Sequence, residues 1–343
     1  MMITCVSAIS LYILLVLVSV AAAVSGPFTK DFQDWLAKSS YVEYDFPALH
    51  YGTAASFGGR DNKTARKIKH QPVIFIHGNS DGALDDGNEY SSGWTASIEH
   101  FMSNGYTSAE LYAITWGDRN LTHSHGRTHS CVALMRVRRF IEAVLEYTNA
   151  TQVDIIAHSM GVTLTRAALH GGLVRDDLGV CSLGEPLNDR VETFLGIAGA
   201  NHGICGCGGV AVNAPVCGIN TGFFPGPQCH HKTHRLPLDP APKTLLSNEP
   251  TCETATPDHH CKPHYARNLA HLNAATHKGI KDADYVYSMW SDNDEILGTN
   301  SVWGHFTSHI PGSNKILIMP GMRHHGLKTK TVAQQFAAVT IGW

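Results

Sequence analysis

The stretch VDIIAHSMGVTLTRAAL, Val153 to Leu169, joins an apolar run to a second apolar pattern through a tight turn. The first run is typical of a buried strand in a parallel sheet, and the second has the spacing of a helix. A strand that passes directly into a helix must turn sharply, which leaves the side chain at the turn above the sheet and requires small neighbours. Ala157 and Gly161 are those neighbours, so the pattern predicts that Ser159 is a nucleophile.

The same succession of apolar runs and helical patterns continues on both sides of this turn. Other runs with strand character are VIFI at 73–76, LYAITW at 111–116, VETFLGIAGA at 191–200, YVYSMWSDNDEI at 285–296 and KILIMPG at 315–321. Further helical patterns occur at 93–106, 131–149 and 331–342. Residues 26–70 are mixed and polar, and GTAASFGGRDNKTARK at 52–67 predicts a loop. Strands that alternate with helices predict an α/β fold, a mostly parallel central sheet with helices on both faces.

The N-terminal residues have the pattern of a secretory signal. LYILLVLVSVAAAV, Leu11 to Val24, is an apolar run of signal length followed by small residues. Ala23 and Ser25 are small at the two positions that signal cleavage requires, so residues 1–25 are predicted to be removed. An uncleaved membrane anchor is the alternative, but the run is short for a bilayer span. The mature protein is therefore predicted to be extracellular.

Cysteines and glycosylation sequons agree with export. Beyond the signal, the cysteines form an even set: Cys131, Cys181, Cys205, Cys207, Cys217, Cys229, Cys252 and Cys261. Most of them lie in a Gly-, Pro- and His-rich region at about 201–268, interpreted as a disulfide-rich cap inserted into one domain spanning 26–343. Their pairing cannot be read from the sequence. Sequons for possible glycosylation begin at Asn62, Asn120 and Asn149.

Composition excludes several classes of function. The formal net charge is −3, and no lysine or arginine run of the phosphate-binding kind appears, so nucleic acid is discounted as a partner. The histidine clusters fit no closed four-ligand set, and neither a metal nor a cofactor is predicted; these clusters are His230, His231 and His234, and His259, His260 and His264. One helix carries three arginines that are predicted to be solvated: Arg136, Arg138 and Arg139.

A second chemical motif is FIHGNSDGA at 75–83. An apolar strand ends at His77 and Gly78, so the backbone N–H of Asn79 can stabilise a negatively charged oxygen in a transition state. The helix that starts at Met160 directs its N-terminal N–H groups toward the same point. His77 itself is a candidate general base, but its place before the loop favours a bracing role.

A serine nucleophile of this type needs an acid and then a histidine further along the chain. The segment SDNDEIL, after a late strand, offers Asp292, Asp294 and Glu295. The segment GMRHHGLK, after the last strand, offers His324 and His325. Because parallel strands present their carboxyl ends at one edge, the serine, acid and histidine are predicted to meet there. These residues alone leave the choice within each segment open.

These four segments resemble those of the secreted lipases of the bacterial class 2 type, a family that also occurs in nematodes and belongs to the α/β-hydrolase superfamily. The resemblance covers residues 72–343 and is loose in the region 201–268. It implies that Asp294 and His324 complete a triad with Ser159. It also implies oxyanion N–H donors at Asn79 and Met160. The oxyanion and nucleophile segments are similar, in addition, to a secreted polyhydroxyalkanoate depolymerase of the same fold.

The resemblance implies a carboxylic ester hydrolase, a triacylglycerol lipase or carboxylesterase, that acts through an acyl-enzyme intermediate. Its partner is then an ester or lipid substrate, with transient contact to a lipid interface and no stable protein partner. Two alternatives stay open at this point. One is an extracellular polyester depolymerase that uses the same triad, and the other is a catalytically silent secreted lipid-binding protein.

Overall fold

The computed structural model describes residues 24–61, 68–208, 213–226, 264–297 and 301–342. Its strands are β1 (Ser56–Phe57), β2 (Val73–Ile76), β3 (Leu111–Ile114), β4 (Val153–His158), β5 (Leu173–Arg175), β6 (Val180–Ser182), β7 (Val191–Ile197), β8 (Tyr285–Trp290), β9 (Ser301–Val302), β10 (His305–Phe306) and β11 (Lys315–Ile318). Its helices are α1 (Lys30–Leu36), α2 (Thr95–Ser103), α3 (Cys131–Thr148), α4 (Met160–His170), α5 (Arg267–His277), α6 (His324–Thr329) and α7 (Val332–Thr340).

One central sheet organises the described part of the chain. Its strands follow the order β1-β3-β2-β4-β7-β8-β11. Every neighbouring pair in it is parallel except β1 and β3. The arrangement confirms the predicted α/β class with a mostly parallel sheet. Strand β3 pairs with one side of β2, and β4 pairs with the other side, so the strand order switches direction at β2. Ligand sites in such sheets form at the carboxyl ends of the strands where the order switches.

The register of the sheet brings the predicted site segments to one edge. All residues of β2 and β4 are buried, as expected for central parallel strands. Ile76 at the end of β2 pairs with Ala157 of β4, so the loop after β2 begins beside Ser159. Ile318 at the end of β11 pairs with Trp290 at the end of β8. The segments with the candidate acids and histidines therefore leave the sheet at this same edge.

The helices before and after β4 have well-defined ends. Ser130 caps α3, because its Oγ accepts a hydrogen bond from the Ala133 N–H at 3.3 Å. Asn149 ends α3 in the left-handed region, with φ of 53°. Helix α4 starts directly after Ser159 and is buried along nearly its whole length. Its first turn therefore lies at the sheet edge that carries the site.

The N-terminal segment has more regular structure than the sequence predicts. Strand β1 lies within the stretch 52–67, for which a loop is predicted, and pairs with β3. The pairing involves only two residues, which is too short for an alternating pattern to be recognised. Phe28 and Phe32 anchor this segment, because both are buried and their rings lie 4.8 Å apart.

Arg138 is buried, so the prediction that it is solvated is wrong. Its Nε donates to Glu142 Oε1 at 2.7 Å, and its Nη1 donates to the Ala168 carbonyl at 3.0 Å. The carboxylate one turn away neutralises the guanidinium and so offsets the free-energy cost of burying this charge against α4. Arg139 shares Glu142 and remains 36 % exposed.

Within the described ranges, two disulfides join pairs of described cysteines and fix irregular parts of the chain. Cys131–Cys181 joins the first residue of α3 to the β5–β6 ribbon, and its Cα atoms are 5.9 Å apart. Cys207–Cys217 closes a short loop within the predicted cap region. The first of these bridges lies outside the region 201–268, so the cross-links are not confined to the cap.

Several predictions fall outside the described residues. These are residues 1–23 of the signal, the sequon at Asn62, the cap segments 209–212 and 227–263, and Cys229, Cys252 and Cys261. The signal and the cap boundaries therefore stay predictions. Among the described residues, no helix is long and apolar enough to span a bilayer.

Candidate active site

Ser159 occupies a strained turn between β4 and α4. Its backbone has φ of 54° and ψ of −129°, a conformation that L-residues with a side chain rarely adopt. The neighbouring structure holds this conformation, because the Ser159 N–H donates to the Ile197 carbonyl at 2.8 Å. This geometry is the predicted strand-to-helix elbow, which turns the serine side chain away from the sheet.

Two glycines allow other backbone segments to approach the elbow. A Cβ atom on Gly161 would lie 2.4 Å from the His77 carbonyl oxygen, so α4 can pack on the end of β2 only with glycine here. A Cβ atom on Gly78 would lie 2.8 Å from Ser159 Cβ. The loop after β2 is therefore in close contact with Ser159. It is called the oxyanion loop here (residues 77–82) after the role predicted for the Asn79 N–H.

An acid–histidine pair is formed at the same edge. The Nδ1–H of His324 donates to Asp294 Oδ2 at 2.7 Å, and both side chains are buried. The other carboxylate oxygen of Asp294 accepts hydrogen bonds from the N–H groups of Ile296 and Leu297. This arrangement orients the imidazole and leaves its Nε2 as the nitrogen available to a serine.

The alternative acid and histidine make different contacts. Asp292 Oδ1 accepts from the Gly321 N–H at 2.9 Å, so it braces the turn before α6. Glu295 accepts from the His324 N–H at 2.9 Å and holds the start of α6. The ring of His325 lies 5.8 Å from that of Tyr90. Burial lowers the pKa of His325 to about 4, so its imidazole is neutral at physiological pH.

The side chain of Asn79 is held on both sides, which fixes the oxyanion loop. Its Nδ2 donates to the Ser124 carbonyl at 2.9 Å, and its Oδ1 accepts from Arg127 Nη1 at 2.7 Å. Arg127 also donates to Ser80 Oγ at 2.5 Å. The second candidate donor, the Met160 N–H, is at the first position of α4, where helical N–H groups have no partner within the helix.

His77 braces the oxyanion loop. Its Nε2 accepts a hydrogen bond from the Trp116 N–H at 3.0 Å, and its Nδ1–H donates to the Gly78 carbonyl at 2.7 Å. Burial lowers the pKa of His77 to about 3, which keeps it neutral. Both ring nitrogens are therefore occupied, and the bracing role predicted for this residue matches its contacts.

Ser159, His324 and the oxyanion loop line one cavity of about 320 Å³. Asn79, His158 and His325 contribute to the same wall, and exposed apolar side chains surround it: Tyr90, Leu121 and Ile296. Among the described residues, Ser159 Oγ forms no hydrogen bond with His324. Such contacts often tighten only when substrate binds. The acid–histidine half of the arrangement is thus formed, while the serine and histidine are neighbours in one cavity wall.

His158, the residue before the serine, links β4 to α6. Its Nε2–H donates to the His324 carbonyl at 3.1 Å, which leaves Nδ1 without a partner among the described residues. Burial, together with the neighbouring His324 and Lys328, lowers the pKa of His158 well below its usual value. The role of His158 cannot be read from the sequence, because its partner is a backbone atom of a distant segment.

A further pair of residues meets at the site without any signal in the sequence. Asp81 of the oxyanion loop and Lys328 of α6 form a fully buried ion pair. Both residues lie in the quoted motifs, FIHGNSDGA and GMRHHGLK, yet neither motif indicates that they meet.

No group of three His, Cys, Asp or Glu side chains within the described ranges is arranged to hold a metal ion. Of the two histidine clusters, only His264 falls within those ranges.

Several solved structures are similar to this chain. A truncated carbohydrate esterase from gut microbiota has 10 % identity and a TM-score of 0.43, with 81 % of this chain and 87 % of that chain covered. A structure from a study of the metagenome-derived lipolytic enzymes LipS and LipT has 13 % identity and a TM-score of 0.43, with 83 % and 97 % covered. A monoacylglycerol lipase from Paleococcus ferrophilus has 13 % identity and a TM-score of 0.40, with 82 % and 96 % covered.

A sequence comparison places the chain in a family. The family described as Lipase (class 2) matches residues 70–337, which include the oxyanion loop, the turn at Ser159 and the segments that carry Asp294 and His324. The resemblance seen in these motifs is thereby confirmed, whereas the similarity to a polyhydroxyalkanoate depolymerase stays a prediction. This chain belongs to the class 2 lipase family and is a carboxylic ester hydrolase of the α/β-hydrolase fold.

Proposed function

We propose that this chain is a secreted serine ester hydrolase, a triacylglycerol lipase or carboxylesterase, with Ser159, His324 and Asp294 as its triad. His324 removes the proton from Ser159 as Oγ attacks the ester carbonyl, and the alcohol leaves with that proton. Asp294 orients the imidazole and stabilises its cation. Water, activated by the same histidine, then releases the carboxylic acid from the acyl-enzyme.

Negative charge on the carbonyl oxygen is stabilised in this proposal by the backbone N–H groups of Asn79 and Met160. One donor comes from the loop after β2 and the other from the first turn of α4, and both segments lie beside Ser159. Donors held in place before the reaction need no reorganisation as charge develops. The hydrogen bonds from Asn79 to Ser124 and Arg127 supply that rigidity to the loop.

One observation carries the proposal: a buried histidine, bonded to a carboxylate at 2.7 Å, lines the same cavity as a serine in a strained strand-to-helix turn. Neither half would identify the chemistry alone. A serine at a helix start is often only a cap, and a buried histidine–aspartate pair is often only structural. Their convergence on one cavity is what acyl transfer through a covalent intermediate requires.

Export belongs to the same proposal. The pattern at residues 1–25 supports it, as do the disulfides, which persist in oxidising compartments. The sequons at Asn120 and Asn149 have exposed asparagines, which is a condition for glycosylation.

A fluorophosphonate label and a substrate panel test this function on the purified secreted protein. We expect stoichiometric labelling of Ser159, located by peptide mapping, and hydrolysis of p-nitrophenyl esters. The cavity of 320 Å³ is near the lower end of the range of small-molecule sites, about 300–1,000 Å³. Each buried methylene contributes about 0.8 kcal/mol, or about fourfold in kcat/KM. We therefore expect kcat/KM to rise from acetate through butyrate and then level off before palmitate.

The panel separates the remaining interpretations. A chain that neither takes the label nor hydrolyses any ester is a binding protein, and the proposed function fails. A kcat/KM that keeps rising to palmitate contradicts the limit set by the cavity but leaves the hydrolase intact. Preferential attack on a polyester film over emulsified triglyceride would favour the polyester depolymerase interpretation.

Asp294→Asn should lower kcat by about four orders of magnitude, because the amide supports the wrong tautomer of His324 and cannot stabilise its cation. Asp292→Asn is the matched control, since its Oδ1 acceptor for the Gly321 N–H survives the change. We expect the control to keep most of its kcat. Steady-state kinetics on p-nitrophenyl butyrate, with melting curves for both variants, provide the measurement. The reverse ranking would move the acid to Asp292.

A further inference from the structure

The ion pair of Asp81 and Lys328 joins two segments of the site from inside the protein. The Asp81 side chain is 1 % exposed, and that of Lys328 is 0 % exposed. Asp81 is two residues after Asn79 in the oxyanion loop. Lys328 is four residues after His324, one turn further along the same face of α6. A single contact thus connects the proposed oxyanion donor with the proposed base.

Backbone N–H groups of its own loop and of the segment before α2 hold Asp81 in place. Its Oδ1 accepts hydrogen bonds from the Gly82 N–H at 2.8 Å and the Gly93 N–H at 2.9 Å, while Oδ2 contacts Lys328. Burial opposes its charge, but the Lys328 ammonium and the hydrogen bond from the Gly82 N–H hold the pKa of Asp81 below its usual value. The carboxylate is therefore an anionic anchor whose position the loop backbone determines.

Lys328 is held from the other side. Its ammonium lies 5.6 Å from the centre of the Trp94 ring, a cation–π distance. Its carbonyl oxygen accepts a hydrogen bond from Gln335 Nε2 of α7 at 2.6 Å. Lys328 thus ties the carboxyl end of α6 both to α7, through its carbonyl oxygen, and to Asp81, through its ammonium.

Stability alone does not explain why two charges are placed here. Removing both from water costs much of what their attraction returns, and well-packed apolar pairs often serve a fold equally well. What an ion pair adds is a directional contact with one preferred separation. We infer that Asp81 and Lys328 are positioning residues, which set the place of the Asn79 N–H relative to His324. The inference rests on the proposed function.

The chain offers a matched control in a second buried ion pair. Arg166 Nε lies 3.0 Å from Asp282 Oδ2, and the two side chains are 0 % and 1 % exposed. Arg166 also donates to Asn201 and Asn273, so its contacts lie toward α5. Among the described residues, this pair forms no hydrogen bond or ion pair with the oxyanion loop or α6. This pair is as deeply buried as the Asp81–Lys328 pair, but it lies in a different part of the fold.

The experiment compares two charge-neutral double variants of the full chain, Asp81→Asn with Lys328→Met and Arg166→Met with Asp282→Asn. Asparagine keeps an acceptor for Gly82 and Gly93, and methionine keeps the length of the lysine stem. Fluorophosphonate end-point titration gives the concentration of intact sites, so kcat refers to folded protein. The readouts are kcat and KM for p-nitrophenyl butyrate and the inhibition constant of a phenylboronic acid, which mimics the tetrahedral intermediate.

We expect the Asp81/Lys328 double variant to lose about 10- to 100-fold in kcat, because displacements of about 1 Å at a catalytic group have effects of that size. Its KM should stay near the wild-type value, and the boronic acid should bind more weakly by a similar factor. The Arg166/Asp282 double variant should keep the wild-type kcat per intact site and the wild-type inhibition constant. A purely structural role of Asp81 and Lys328 would change only the folded fraction.

Wild-type kcat and boronic acid affinity in the Asp81/Lys328 double variant would overturn the inference, as would an equal loss in the control pair. If the double variant does not fold, Lys328→Gln is measured instead. Glutamine keeps a donor for Asp81 without the charge, and a kcat equal to that of the wild type again overturns the inference. Failure of the proposed function looks different, because the wild type itself would then neither label nor hydrolyse esters.

Discussion

Ser159→Ala lowers kcat for p-nitrophenyl butyrate by about a million-fold and abolishes fluorophosphonate labelling, if the proposed mechanism holds, because triad serines act as a unit with their base. The variant should melt close to the wild-type temperature. Alanine and serine meet the same backbone strain at φ of 54°, and Ser159 makes no side-chain cap to α4 that the substitution would remove. Kinetics, labelling and thermal unfolding on the same preparation provide the test.

Thr165→Val is the control for this result. Thr165 lies on α4 and is buried, and its hydroxyl donates to the Gly161 carbonyl at 2.7 Å, with no other hydrogen-bond partner among the described residues. Loss of that hydroxyl should affect stability slightly and leave kcat near the wild-type value. A Ser159→Ala protein with full turnover would remove Ser159 from the mechanism, and with it the proposed function.

His324→Gln should reduce kcat by a similar amount, about a million-fold, because the serine then has no base and the leaving group has no acid. Glutamine cannot carry a proton between the serine and the leaving alcohol. It can still donate a hydrogen bond toward Asp294, so the buried carboxylate is not left without a partner. The measurement is kcat together with the rate of fluorophosphonate labelling, which depends on an activated serine.

His325→Gln is the matched control. Its imidazole is adjacent in sequence, and its pKa near 4 keeps it neutral, but it has no hydrogen bond to Asp294. We expect a far smaller loss of kcat than in His324→Gln. If His325→Gln proved the more damaging change, the base would have to be reassigned.

The central fold could be predicted because its signals are local. Val73 to Ile76 and Val153 to His158 form strands that are buried throughout, and such strands appear in sequence as apolar runs. The predicted helix 131–149 ends within one residue of α3, because Ser130 and Asn149 are recognisable caps. Strand β1 could not be predicted, since its two-residue pairing with β3 leaves no periodic signal.

The site was only partly accessible to sequence reasoning. The elbow at Ser159 is a local turn, so the residues around it predict it. Of Asp292 and Asp294, it is Asp294 that is hydrogen-bonded to an imidazole, and this contact joins the segment after β8 to α6. Asp81 and Lys328 lie 247 residues apart, and Arg138 is neutralised by a helix neighbour as it packs on α4. The Asp81–Lys328 contact and the packing of Arg138 on α4 depend on tertiary structure and leave no pattern in one sequence, whereas the spacing of Arg138 and Glu142 is a local signal.

The Cys131–Cys181 bridge has a practical consequence for producing this enzyme. It closes a loop across a sequence separation of 50 residues, and Ser159 with its strand and helix lies inside that loop. On the chain-entropy estimate, a loop of this length makes folding more favourable by about 4 kcal/mol. Recombinant material made in a reducing cytosol would forgo that contribution, so expression through the endoplasmic reticulum or a bacterial periplasm is the appropriate route.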